Sequence, residues 1–166
     1  RTLDDVERRL DASMLVIADA ERPVALAGIM GGAATEVTAG TTDVLLECAL
    51  FDPRGVRATR TTLGMSTDAS YRYERGVDPE GLETALRRAV DLIQAVAGGS
   101  VEPYAAAVGH AAPPRRMLVL RARRAEQVLG LPFTTAQLSE LLAPIGFDVD
   151  ARDAEGITVR VPGFRS

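Results

Sequence analysis

The chain has 166 residues, of which 46% are hydrophobic and 25% charged, close to the averages of globular proteins and enough for one domain or two small ones. A net charge of −4 argues against blanket attraction to nucleic acid or anionic membrane, and no apolar run approaches the roughly 20 residues that span a bilayer. One cysteine and one histidine exclude a disulfide framework, a Cys-cluster zinc site and a two-His metal motif, and favour a reducing, cytoplasmic setting. The first residues lack the pattern of a cleavable signal, Arg1 stands where an initiator Met would, and Ser166 follows a strand-like run. That is the pattern expected of a piece of a longer protein.

In chain order, Leu3, Val6 and Leu10 have helical spacing, whereas Asp4-Asp5 suits a hairpin turn, and the local sequence leaves both open. Met14–Ala18 reads as a strand, residues 20–23 as a turn, and Val24–Met30 as a returning strand. Thr42–Phe51 reads as a third strand. Asp52-Pro53 has the form of a helix start, with Asp at the N-cap and Pro at the first helical position, for a helix ending near Gly64. Thr67 is placed to cap a short helix from Asp68 to Arg75. Pro79–Ala97 follows as a helix with Leu82, Ala85, Leu86, Ala89, Ile93 and Val96 on one face, closed by Gly98-Gly99.

Residues 103–116, with prolines at 103, 113 and 114, read as a linker. Beyond it come a strand at Met117–Leu120 and a short helix through Val128. A helix opened by the capping box Thr134-Thr135-Ala136-Gln137 follows, with Leu138, Leu141, Leu142 and Ile145 on its buried face. Two strands, Phe147–Asp150 and Ile157–Val161, turn at Asp153–Gly156. This order resembles a truncated winged helix-turn-helix. The fold class expected is α+β: a mixed or antiparallel sheet packed with helices, then a small winged-helix-like α+β unit.

Chemistry concentrates in a few places. Alternation in residues 44–51 makes both strand faces apolar yet puts Glu47 among them, and a buried carboxylate must be paired, hydrogen-bonded or neutralised. A structural salt bridge to one of the arginines and a ligand-facing acceptor are equally compatible with the local sequence. Residues 25–32, ALAGIMGG, lack the dinucleotide fingerprint; their small residues suit either a close backbone approach or a plain turn. Arg72 and Arg75 share a helix face, as do Arg54, Arg57 and Arg60, and these rows are either phosphate contacts or solvated arginines. Arg115, Arg116, Arg121, Arg123 and Arg124 carry the same ambiguity. Cys48 is expected as a small core residue and His110 as a surface residue, so no Ser-His-Asp arrangement is supported.

The ordered runs ALAGIMGG, EVT at Glu36–Thr38, VLLECALFDP and TDASYRYERGVDP resemble the B3/B4 region of bacterial phenylalanyl-tRNA synthetase beta subunits. The opening RTLDDVERRLDASMLVIAD is similar to the hairpin before that series, which decides against an opening helix. The resemblance divides the chain into the C-terminal part of B3/B4 at 1–110 and the start of the B5 domain at 111–166. It implies a beta subunit of an alpha2-beta2 heterotetramer that attaches phenylalanine to tRNA using ATP and Mg2+. The region itself would carry an editing site that hydrolyses mischarged tyrosyl-tRNA. By motif matching, Glu47 would recognise the tyrosine hydroxyl, Ala27, Gly28 and Gly31 would form the pocket wall, and Thr67 and Ala69 would line it. Gly28 and Gly31 would leave room for the ring. Arg72 and Arg75 are candidate RNA contacts, and the alternative is a non-catalytic tRNA-binding or assembly module of the synthetase in which Glu47 is a structural ion pair. No catalytic residue, metal ligand or cofactor site is assigned to this chain, and editing by it alone is not expected. A sheet lacking part of its strands would leave apolar edges open to self-association.

Overall fold

The computed structural model describes residues 1–102, 109 and 113–165. The chain divides into two units, Arg1–Tyr104 and Ala105–Arg165. Most of the proline-rich stretch, with His110, lies outside the described residues.

The first unit begins with a turn rather than a helix. The Thr2 amide donates to the Val6 carbonyl (3.1 Å), and Asp5 takes a φ of 61° that a helix would not allow. Strands β1 (Val16–Ala18) and β2 (Pro23–Leu26) pair antiparallel, Val16 opposite Leu26. Their turn is set by Asp19, whose side chain accepts from the Glu21 and Arg22 amides at 2.8 Å each. The expected single strand over residues 24–30 is broken. The chain reverses at residues 27–29, and β3 (Met30–Gly31) returns along β2 with Leu26 opposite Met30. Gly28, at φ 68°, is the residue that permits this reversal. The sheet order is β1-β2-β3.

Helix α1 (Pro53–Thr62) starts as Asp52-Pro53 dictates, the Asp52 carboxylate accepting from the Gly55 amide at 2.9 Å. Helix α2 (Asp68–Tyr73) is opened by a complete capping box between Thr67 and Ser70. Val56 of α1, Met65, Leu26 and Ile29 form the buried core, flanked by Phe51, Leu63 and Tyr73. Each such side chain contributes about 1.5–3 kcal/mol of burial free energy. Helix α3 (Leu82–Ala97) closes at Gly98, φ 72°, but buries none of its residues.

The third strand is the clearest correction. Residues 42–51 join no sheet among the described residues, and Leu45 is 84% exposed. Alternation records what a segment can bury on each face, whereas a strand also needs a neighbour for its backbone amides and carbonyls. No described strand supplies that neighbour. Cys48, expected in a core, is exposed for the same reason, and its thiol lies 3.6 Å from the Leu82 carbonyl.

The second unit is a three-stranded antiparallel sheet, order β4-β6-β5, with two helices. Strand β4 (Met117–Arg121) leads into α4 (Ala122–Leu129), which ends at Gly130 in the left-handed conformation. The Thr134 capping box opens α5 (Thr135–Leu142) as the sequence predicts. Strands β5 (Asp148–Arg152) and β6 (Gly156–Arg160) turn where Asp153 accepts from the Glu155 and Gly156 amides at 2.8 and 2.9 Å. Ile157 and Val159 of β6 pack with Ala125 and Leu138 in a core separate from that of the first unit. Both units have the expected α+β character, with antiparallel sheets.

Candidate functional site

The site is built around the reversal in residues 27–31. At Gly28 an added Cβ would lie 2.9 Å from Phe51 Cδ2 and 3.2 Å from both Tyr73 Cγ and Val56 Cγ2. The space that glycine leaves is therefore filled by the chain's own rings; Phe51 and Tyr73 stack with centroids 5.1 Å apart, tilted by 52°. At Gly31 the same space is taken by Leu3 Cδ1, 3.1 Å from the ideal Cβ position. Room for a substrate ring at these two glycines is thus replaced, in this structure, by side chains of residues 3, 51 and 73. Ala27 is 2% exposed and faces the core.

Thr67 ties the reversal to α2. Its hydroxyl donates to the Ile29 carbonyl at 2.7 Å and accepts from the Ser70 amide at 3.0 Å. The Ser70 hydroxyl in turn accepts from the Thr67 amide at 2.9 Å, and Ser70 is fully buried. This clasp fixes Ala69, half-buried in the first turn of α2, relative to Gly28 and Ile29. Four residues on from Ala69, on the same helix face, Tyr73 carries its ring to Gly28.

Glu47 stands on the extended segment outside this clasp. Contrary to the expectation of a buried acid, Glu47 is exposed, because the segment that carries it joins no sheet among the described residues; the desolvation it still meets raises its carboxyl pKa. It pairs with no arginine among the described residues. The Tyr73 phenol is raised by burial first, then by the Glu47 and Cys48 charges. The structure thus brings Gly28, Thr67 and Ala69 together through Ile29, Phe51 and Tyr73, whereas Glu47 is related to them only by its electrostatic influence on Tyr73. Neither aromatic was singled out from the sequence. The signal available was Tyr73 at helical spacing from Ala69, with Phe51 ending the apolar run.

A small cavity of about 70 Å³ lies elsewhere in this unit, lined by Arg1, Thr2, Arg8, Leu10 and Val24 among others, and includes none of the predicted site residues. Among the described residues no three His, Cys, Asp or Glu side chains converge as a metal site. No helix among them is long and apolar enough to cross a membrane.

The arginine rows meet at the junction of α1 and α2. Arg60 bonds Glu74, and Arg75 Nη1 donates to Glu74 Oε1 at 2.8 Å and to the Tyr71 carbonyl at 2.6 Å. The Arg60 hydrogen bond, more than the surrounding charge of Arg60, Arg75 and Arg57, holds the Glu74 carboxyl below its ordinary value. The Arg75 guanidinium lies 3.6 Å above the Tyr71 ring centroid. Arg72 is exposed. In the second unit Arg115 pairs with Asp148 at 2.7 Å.

Comparison with known proteins agrees with the motif order. A phenylalanine–tRNA ligase beta subunit of Salinibacter ruber is 46% identical over 164 residues, 99% of this chain and 20% of that protein. Those of Moorella thermoacetica and Anaeromyxobacter dehalogenans are 44% and 43% identical, again over 99% of this chain and 20% of theirs. The chain spans about a fifth of the length of the curated relatives it matches. Residues 1–98 match the B3/4 domain, and the chain belongs to that family.

Proposed function

We propose that this chain is part of the beta subunit of a phenylalanine–tRNA ligase and that its first unit contributes the tyrosine-reading wall of a post-transfer editing site. What supports the reading is the place of Glu47 in the ordered motifs of a chain whose residues 1–98 match the B3/4 domain, with its charge felt by Tyr73, whose ring packs at Gly28, and no arginine pairing it among the described residues. Tyrosine and phenylalanine differ by one hydroxyl. A carboxylate that substrate binding withdraws from water is a strong acceptor for that phenol, and its lost partner penalises the plain ring. Sites built this way discriminate by roughly 10^4–10^5. The salt-bridge alternative for Glu47 has no such support.

In this reading Thr67 acts through the backbone. Its hydroxyl is engaged on both sides, so it holds the 27–31 turn and Ala69 in position rather than bonding the substrate. Phe51 and Tyr73, which fill the space at Gly28, are then the groups a substrate ring would meet or displace. No side chain of this chain is proposed as nucleophile or base; hydrolysis would use a positioned water, backbone donors and the tRNA itself. The parent enzyme would be a cytoplasmic alpha2-beta2 heterotetramer using ATP and Mg2+, and no residues here are proposed to hold either. Residues 1–110 would be the C-terminal part of B3/B4 and 111–166 the winged-helix-like start of B5.

The test is Glu47→Ala in the assembled ligase. Hydrolysis of tyrosyl-tRNA is expected to fall while phenylalanine attachment continues. Undiminished tyrosyl-tRNA hydrolysis would remove Glu47 as the reader.

A further inference from the structure

The sheet of the second unit ends on an unpaired edge. Strand β4 is outermost in the order β4-β6-β5, and β6 is its one described neighbour. The Val161 amide donates to the Arg116 carbonyl at 2.8 Å and the Ala122 amide to the Glu155 carbonyl at 2.9 Å. With Leu118 opposite Val159 and Leu120 opposite Ile157, the ladder to β6 therefore uses the backbones of residues 116, 118, 120 and 122. The amides and carbonyls of Met117 and Val119 point the other way, as does the Arg121 amide, and no partner for them lies among the described residues. Met117 and Val119 are 56% and 71% exposed. Apolar side chains beside free backbone groups are what a further strand covers.

Charge selects the kind of strand. Arg116 and Arg121 flank the apolar centre of this edge, and Arg123 and Arg124 follow in the first turn of α4, which holds no acidic residue. All four are exposed, and no described carboxylate pairs with them. Three of them stand at the positive end of the helix dipole, where an anion is favoured and a cation is not. The opposite edge differs, since Asp148 and Asp150 of β5 already pair with Arg115 and Arg160 of the same unit. A second copy would therefore offer β4 either its own arginines or acids that are already matched. An RNA strand would satisfy the guanidinium groups but leave the free amides, carbonyls and Val119 uncovered. An extended peptide, apolar at its centre and acidic at its ends, meets all of these features.

We infer that the β4 edge is a docking site for an acidic, extended peptide segment of a partner protein, which adds to the sheet as a fourth strand. The inference stands on the second unit alone and is independent of the editing reading and of Glu47.

The experiment is fluorescence anisotropy of the whole chain with a labelled nine-residue peptide, two acidic residues at each end and alternating valine and threonine between, at low and at high salt. Saturable binding that weakens with salt is expected. The same peptide N-methylated at each central residue keeps its charge but loses its amide donors, and should bind at least roughly tenfold more weakly. Val119→Pro removes an amide that β6 does not use, at an edge position where proline is tolerated, and should cost at least roughly tenfold as well. Val119→Thr keeps that amide and should stay within about threefold of the parent. Arg121→Gln should lower affinity about threefold at low salt and little at high salt. Circular dichroism and thermal melting establish which variants are folded, and the N-methylated peptide decides the matter without any variant. Undiminished affinity for the N-methylated peptide, parent affinity in a folded Val119→Pro, or no saturable binding at low salt would each overturn the inference. So would a short single-stranded RNA that displaces the peptide as well as unlabelled peptide does. A chain that sediments as a dimer, and as a monomer in Val119→Pro, would assign the edge to a second copy and overturn it too.

Discussion

Removing the Thr67 hydroxyl tests how the candidate site is held together. In Thr67→Val the side chain keeps its shape but loses the bond from the Ser70 amide at 3.0 Å and the bond to the Ile29 carbonyl at 2.7 Å. Loss of a helix N-cap costs about 1 kcal/mol. A buried carbonyl left without its donor costs about 1–3 kcal/mol, and Ile29 is 3% exposed. Together the expected loss is about 2–4 kcal/mol. Thr67→Ser keeps both bonds and gives up one methyl group, so it should cost under about 1 kcal/mol. Urea unfolding followed by tyrosine fluorescence reports the free energy, because the chain has three tyrosines and no tryptophan. Hydrogen exchange at the Ser70 amide localises the effect to the start of α2. A Thr67→Val variant within about 0.5 kcal/mol of the parent, with Ser70 exchange unchanged, would refute the clasp.

Gly28→Ala forces a Cβ onto a φ of 68° and to within 2.9 Å of Phe51. It should destabilise the first unit by at least about 2 kcal/mol, with partial recovery in Phe51→Leu, measured by the same urea titration. Ile157 is 1% exposed in the second core, so Ile157→Ala should cost about 2–5 kcal/mol, seen as faster amide exchange in β4–β6 with little change in α2. The Glu74 carboxyl is held low, chiefly by its Arg60 bond. Its contribution is complete above the ordinary carboxylate range and disappears as pH falls through the lowered folded value, so Glu74→Gln should flatten the acid limb of a melting-temperature-against-pH profile.

Local chemistry made much of this fold readable from sequence. Asp52-Pro53, Thr67-Ser70 and Thr134-Gln137 start helices through their own side-chain bonds, and Asp19 and Asp153 make turns in the same way. These signals operate within four residues and need no partner. The 42–51 segment and the apolar face of α3 failed to bury because burial needs a surface from elsewhere, which periodicity alone does not reveal. The 24–30 run misled for a related reason. Its residues are uniformly small or apolar, so only Gly28 marked the reversal, and it reads equally well inside a strand. Of the candidate site, the cap at Thr67 was legible and its reach to Ile29, 38 positions away in sequence, was not. The roles of Phe51 and Tyr73 were hidden likewise, since both arise from contacts across the fold.

The central claim is that Glu47 separates a phenol from a phenyl ring. Its most direct measurement is calorimetric binding of non-hydrolysable tyrosyl- and phenylalanyl-adenosine analogues to the assembled ligase, with the aminoacylation site blocked, for the parent and for Glu47→Ala. Tighter binding of the tyrosyl analogue by the parent, collapsing to near equality in the variant, is the predicted result. An unchanged preference in Glu47→Ala, or none in the parent, would contradict it.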